Sequence, residues 1–268
     1  MKLYGVITID IVQSRKILNR DAIQEKLNNY FKLVKDLYSH DIVSDICFTL
    51  GDEWQLITDK PHKCYRIVHD FQKLLWQDDI SIYAGIGIGE LKTNIYEDTR
   101  KMDGSCFYMA REAIEIAKEG SKKRNSHIQS KLNRVYLKSI AREVLQEKQS
   151  RLSLYQETNN LEFSEVAADI EVTPTVHLED VINTLIENNE ILTGKLTKKQ
   201  KIIYTEYQKL KSYRKVVEAN KDRFTETIGG ISQKLNSAEY FTIQRNQEVI
   251  EGLINLLLLE IKRNAEEI

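Results

Sequence analysis

Two aspartates stand where acidic residues are unusual, and together they could bind a divalent cation. Asp10 interrupts an apolar, β-branched run over residues 6–12, a pattern typical of a buried strand. A buried carboxylate costs on the order of several kcal/mol unless a cation or hydrogen-bond donors compensate it. Asp52 follows Gly51 between two short apolar runs, where a hairpin tip is expected. Two converging carboxylates repel each other without a cation, and oxygen ligands suit Mg²⁺ or Mn²⁺.

Each aspartate also has an ordinary structural explanation. Gly-Asp is common at the tip of a turn, so Asp52 alone indicates little about function. Asp10 could cap a helix that follows the strand, although Ser14 is also placed for that role. Their joint occurrence on elements that should be neighbours is what favours a metal site.

The pattern of apolar residues predicts a sheet covered by helices, which would bring the two aspartates together. Short β-branched runs predict strands, and apolar residues at steps of three and four predict helices. The predicted strands are residues 6–12, 46–50, 54–57, 80–88 and 134–138, and the predicted helices are residues 20–38, 61–75 and 107–118. The order begins βαββαβ, which indicates an α+β domain. Gly85 and Gly87 lie inside the strand predicted at 80–88 and Gly89 directly follows it, so we attribute the series to close packing of a helix or ligand.

Beyond residue 139 the strand signals vanish and the chain is predicted to be helical. We expect a first domain at 1–140, a linker at 141–175 and a helical domain at 176–268. Within the linker, residues 156–175 are acidic, weakly periodic and contain Pro174. Helices are predicted at 197–211 and 212–219, around Ile228, Ile231 and Leu235, and at 242–263.

Composition excludes several classes of protein. The chain has 39 Lys and Arg against 40 Asp and Glu, so no overall field attracts it to nucleic acid or membrane. Its three cysteines have no CxxC spacing, which argues against a zinc or disulfide framework. Neither a signal peptide nor a membrane span is apparent. We therefore expect a cytoplasmic protein that does not cross a membrane.

Four segments, in order, resemble the blocks of the SatD family of bacterial proteins. They are ITIDIVQSR at 7–15, TLGDEWQ at 49–55, YAGIGIGE at 83–90, and DGS at 103–105 followed by AREA at 110–113. The same blocks are more distantly similar to class III nucleotidyl cyclases and GGDEF diguanylate cyclases. This resemblance implies a ferredoxin-like or palm fold that binds a nucleoside triphosphate and, as in cyclases, works as a homodimer.

The resemblance also implies roles for individual residues. Asp10 and Asp52 would be the metal ligands, while Glu53 and Arg111 would complete the catalytic group. Ser14, Arg15 and Lys101 are the expected nucleotide-binding residues, since a helix N-terminus and basic side chains suit phosphates. Two departures stand out: Phe107 replaces the asparagine of cyclases, and Phe48 replaces their base-selecting lysine. These two substitutions leave the metal pair but remove much of the usual base selection and transition-state support.

The C-terminal region resembles the helix-turn-helix that follows the palm-like domain in SatD relatives. Residues 195–245 contain twelve Lys and Arg but only five Asp and Glu, a local positive excess. The residues expected to contact DNA are Lys198, Lys199, Arg214, Lys215, Ser232, Gln233 and Lys234. A helical interaction or dimerisation module with a solvated basic face explains the same pattern.

Three functions follow from these observations. The favoured one is a nucleotide-binding regulator that depends on a divalent metal and binds DNA through its C-terminal domain. The second is an active nucleotidyltransferase or cyclase that makes a signal nucleotide. The third is a non-catalytic interaction adaptor whose acids are structural.

Overall fold

The computed structural model describes residues 1–17, 19–120, 122–123, 126–148 and 176–266. Within these ranges the chain forms a five-stranded sheet with helices on both faces. The strands are β1 (Leu3–Ile11), β2 (Cys47–Leu50), β3 (Glu53–Thr58), β4 (Ile82–Glu90) and β5 (Val135–Ser139). The helices are α1 (Arg20–Leu37), α2 (Cys64–Leu75), α3 (Ser105–Gly120), α4 (141–148), α5 (Leu178–Gly194), α6 (Lys198–Leu210), α7 (Tyr213–Ala219), α8 (Ile228–Ser237) and α9 (Tyr240–Glu266). The predicted α+β class is confirmed.

Strand β1 lies at the centre of the sheet, whose strand order is β2-β3-β1-β4-β5. It pairs antiparallel with β3 and β4, while β4 and β5 run parallel. Because successive side chains of a strand face opposite sides, β1 contributes to two hydrophobic layers. Ile7 and Ile9 pack with residues of α1 and α2, whereas Val6 packs with Cys106 and Ala110 of α3. Asp10 lies four positions after Val6, so its side chain is on the same face of β1 and points toward α3.

Glycines in β4 allow α3 to lie directly on the sheet. A Cβ atom added at Gly87 would come within 2.1 Å of the Ala110 backbone nitrogen and 2.2 Å of the Cys106 carbonyl oxygen. At Gly85 it would lie 2.3 Å from the Ile114 backbone nitrogen. The attribution of the glycine series to close helix packing is confirmed.

The C-terminal helices form two groups. Helices α5 and α9 contribute Ile182, Ile186, Ile250 and Ile254 to the same hydrophobic core as β1 and α2. Helices α6, α7 and α8 pack around a second cluster that includes Ile203, Val216, Ile231 and Leu235. In the predicted linker, residues 141–148 form α4, and residues 149–175 lie outside the described residues. No described helix has both the length and the apolar composition that a bilayer span requires.

Side chains of α5 satisfy the outer edge of β5. The Asn183 side-chain amide accepts a hydrogen bond from the Leu137 N–H at 2.8 Å and donates one to the Leu137 carbonyl oxygen at 2.8 Å. The Glu179 carboxylate accepts hydrogen bonds from the N–H and the hydroxyl of Ser139, at 2.8 and 2.6 Å. A helix thus takes the place of a sixth strand along this edge.

A buried carboxylate connects α5 to α2. Glu190 accepts hydrogen bonds from the Gln72 side-chain amide at 2.8 Å and from the Tyr65 hydroxyl at 3.2 Å. Burial raises the pKa of the Glu190 carboxyl from its ordinary 4.5 to about 7. The folded protein therefore retains a proton here at pH values where an unfolded chain releases it.

We expect Glu190→Gln to reduce the pH dependence of stability between 4.5 and about 7. A raised folded-state pKa means that the stabilising protonation is complete below the lower value and is lost as pH rises through the upper one. As pH rises across that window, deprotonation of Glu190 should lower the free energy of unfolding of the wild type by on the order of 3 kcal/mol. Urea unfolding at several pH values measures the effect, with the exposed Glu143→Gln as control. Equal pH slopes for wild type and Glu190→Gln would contradict it.

Candidate metal and nucleotide site

The end of β1 and the β2–β3 hairpin place three acidic residues side by side. Asp10 is the cross-strand partner of Glu53, the first residue of β3, and Asp52 precedes Glu53 in the turn. The turn requires glycine, because Gly51 has a φ of 61°, in the left-handed region. The predicted two-residue hairpin tip is confirmed, and the two aspartates meet as the metal hypothesis requires.

Asp10 and Asp52 are close enough for their carboxyl groups to share a hydrogen bond. Burial raises the pKa of the Asp10 carboxyl above its ordinary value, and the neighbouring Asp52 carboxylate raises it further. The Lys118 ammonium acts in the opposite direction. One oxygen of Asp52, Oδ2, is buried without a hydrogen-bond partner in the described structure. The pair therefore carries an unsatisfied acceptor that a cation could use.

Helix α3 supplies the positive charge on this face. Lys118 Nζ lies 2.8 Å from Asp10 Oδ2 and 3.8 Å from Glu53 Oε2. Arg111 donates two hydrogen bonds to the Glu53 carboxylate, at 2.9 and 3.0 Å. Glu53 is buried and also accepts a hydrogen bond from the Thr49 hydroxyl at 2.9 Å. Glu53 and Arg111 thus form a bidentate ion pair beside the aspartates.

The donor set suits a magnesium or manganese ion that shares its coordination with a ligand. Among the described residues, no three His, Cys, Asp or Glu side chains lie in an arrangement that could hold a metal by themselves. Mg²⁺ is usually held by one or two carboxylates, with water and substrate phosphates completing its coordination. Asp10 and Asp52, with the orphaned Asp52 oxygen, fit this pattern. Glu53 is already occupied by Arg111.

A pocket of about 190 Å³ adjoins Asp52, between α1, the turn after β1 and the hairpin. Its polar lining comes from Ser14, Arg20 and Gln24, together with Asp52 itself. Phe48 also lines it. The pocket therefore joins the carboxylate pair to a mixed polar and aromatic surface.

The structure brings one of the three predicted nucleotide-binding residues to this pocket. Ser14 lines it, whereas the described lining includes neither Arg15 nor Lys101. Arg15 is exposed in the short 3-10 helix Ser14–Lys16, and Lys101 is exposed at the end of another, Thr99–Lys101. Phe107 packs in the hydrophobic layer beneath α3 rather than against the aspartates.

Sequence reasoning missed Lys118, Arg20 and Gln24. Lys118 follows Arg111 by seven residues, two helical turns, so both lie on one face of α3. That spacing was a usable signal once Arg111 had been singled out. Arg20 and Gln24 lie on the first turns of α1 and had no comparable signal, because their proximity to the hairpin depends on tertiary packing.

The predicted DNA-binding residues lie on α6, α7 and α8, and several are engaged in ion pairs. Lys199 and Lys234 both pair with Glu226, the latter at 3.3 Å. Lys198 lies 3.0 Å from Asp79, and Arg214 lies 3.0 Å from Glu218. Lys215 and Gln233 are exposed, and Ser232 is half-buried. DNA binding by these residues stays a prediction.

Comparison with known proteins identifies the family of the chain. The model of the SatD family matches residues 4–147, which include all five strands except the first residue of β1, and all of the site residues from β1 to α3. None of the curated proteins compared with the chain matches it. The matched region covers more than half of the 268 residues. This chain belongs to the SatD family.

Proposed function

We propose that this SatD-family protein binds a nucleotide at the Asp10–Asp52 pair, together with Mg²⁺ or Mn²⁺. The observation that carries the proposal is the contact between these two carboxyl groups beside an open pocket. Bound at this pair, the ion would neutralise the carboxylates and attract phosphate oxygens. The sheet domain would then be a palm-like domain, as the strand order β2-β3-β1-β4 and the hairpin position of Asp52 favour.

The surrounding residues suit binding and orientation. Ser14, which lines the pocket, carries a hydroxyl that can donate to a phosphate, and Arg20 adds a positive charge. Lys118 holds Asp10 in place and balances part of the negative charge. Phe48 offers an aromatic surface on which a base could stack.

A regulator is favoured over an active cyclase by two contacts. Arg111, which would steady the phosphate in a cyclase, is held by Glu53. Phe107, at the position of the catalytic asparagine, packs into the hydrophobic layer below α3. In this proposal, nucleotide occupancy at the hairpin alters the helices α6 to α8, a helix-turn-helix-like unit that contacts DNA.

Calorimetric titration of the full chain with each common nucleoside triphosphate tests the proposal. We expect saturable heat in the presence of Mg²⁺ that disappears when the metal is removed with EDTA. Equal heat with and without EDTA, or no heat with any triphosphate, would overturn metal-dependent binding. Chromatography of the nucleotide recovered after the titration distinguishes a regulator from an active cyclase. Unchanged triphosphate supports the regulator, and a new product supports the cyclase.

A further inference from the structure

A second pocket lies between the sheet domain and α6, away from the paired aspartates. Its volume is about 330 Å³, at the lower end of the range for small-molecule sites. One wall comes from the end of α2 and the short 3-10 helix Trp76–Asp78, and the other comes from α6. Its lining is rich in cations: Lys73, Lys198, Lys201, Lys209 and Arg223.

The acids in this pocket leave part of the positive charge uncompensated. Among the described residues, the acids that line it are Asp79 and Glu206, which lie 3.0 Å from Lys198 and 3.9 Å from Lys209, respectively. Lys73 pairs with Asp70. In the described part of the chain, neither Lys201 nor Arg223 has a carboxylate within 4 Å. These two side chains are therefore available to an anion.

The surroundings of Lys201 are such that a bound anion would stabilise its charged ammonium group. Its ammonium lies 5.6 Å from the centre of the Trp76 ring, and burial lowers the pKa of Lys201 below its ordinary value. Trp76 is fixed by edge contacts to His69 and Tyr204, with ring centres 5.8 and 5.5 Å away. The Asp79 carboxylate acts on Lys201 only from beyond ion-pair distance, and a bound anion would add a counter-charge in direct contact with the ammonium group.

We propose that this pocket binds a small phosphorylated molecule, whose phosphate group is held by Lys201 and Arg223. The pocket is concave and lined from both walls, which suits a compact anion better than the convex backbone of duplex DNA. Lys198, predicted from the sequence to bind DNA, adds charge to the same pocket. The site needs no metal and is independent of the aspartate pair.

Titration of the full chain with inorganic pyrophosphate in EDTA tests this proposal without involving the first site. We expect saturable binding by calorimetry and a change in tryptophan fluorescence that Trp76→Phe removes. Lys201→Gln and Arg223→Gln should each weaken binding at least about tenfold, the typical loss for a charge-assisted hydrogen bond. Lys262→Gln, which removes an exposed lysine on α9, should bind like the wild type.

The possible outcomes separate clearly. Selective weakening in the two pocket variants, with unchanged thermal unfolding, supports the site. Equal weakening in all three variants would mean non-specific attraction and would overturn the proposal. Absence of saturable pyrophosphate binding would overturn it as well. So would a finding that Lys201→Gln and Arg223→Gln reduce only the binding of duplex DNA, since the cations would then serve the DNA backbone.

Discussion

Replacing Gly87 with alanine is expected to destabilise the protein by about 3 kcal/mol, the upper part of the usual range for overpacked cores. The added Cβ would lie 2.1 Å from the Ala110 backbone nitrogen and 2.2 Å from the Cys106 carbonyl oxygen. Both are main-chain atoms of α3, so no side chain can turn aside to make room. Helix α3 would have to move away from the sheet, and Arg111 and Lys118 would move with it.

The midpoint of urea unfolding measures this effect. Gly252→Ala is a matched control, because Gly252 lies in α9 and, apart from its chain neighbours and the adjacent backbone of its own helix, no atom lies within 4 Å of an added Cβ. That substitution should stabilise the protein by about 0.5–1 kcal/mol through helix propensity and lower unfolded-state entropy. Unfolding of Gly87→Ala at the same urea concentration as wild type would show that α3 does not pack on β4 in this way.

Replacing Asp52 with asparagine is expected to weaken metal-dependent nucleotide binding at least about 100-fold. Substitution of groups that only support a metal ligand typically costs 10–100-fold, so loss of a direct ligand should cost more. The amide keeps the size of the side chain and suits the turn, so the hairpin should survive. Removing one of two adjacent carboxylates also relieves repulsion, so the free energy of unfolding should not fall.

Measuring both nucleotide affinity and stability shows whether Asp52 is a metal ligand or a structural residue of the turn. Calorimetry with Mg²⁺ and the best-binding triphosphate gives the affinity, and urea unfolding gives the stability. Asp36→Asn, an exposed acid on α1, removes the same charge and should change neither. If Asp52→Asn binds nucleotide as tightly as wild type, or unfolds markedly more easily, Asp52 serves the turn and not a metal.

The local elements of this fold could be predicted because their signals are local. The Gly51–Asp52 pair fixed the hairpin tip, since one residue there adopts a positive φ. The apolar spacing located the helices to within a few residues; the final helix, predicted at 242–263, spans Tyr240–Glu266. Asp10 stood out because a carboxylate in a buried strand needs a partner.

The partners themselves could not be predicted in the same way. Lys118 reaches Asp10 only because α3 crosses the sheet at one angle and depth, which the β4 glycines permit. The packing of α5 and α9 into the core of the sheet joins residues far apart in the chain, and their amphipathic faces do not reveal which surface they cover. For the same reason the pocket between α2 and α6 had no signal in the sequence.

The contacts of α5 with β5 bear on aggregation. An open edge of a sheet is a template for strands from other molecules, and proteins commonly cover or interrupt such edges. Asn183 occupies the outward N–H and carbonyl of Leu137, so strand addition is blocked there. At the opposite edge, β2 has four residues and an interrupted register with β3, which makes a poor template. Protection of one edge thus comes from a residue 46 positions further along the chain, beyond the part matched by the family model.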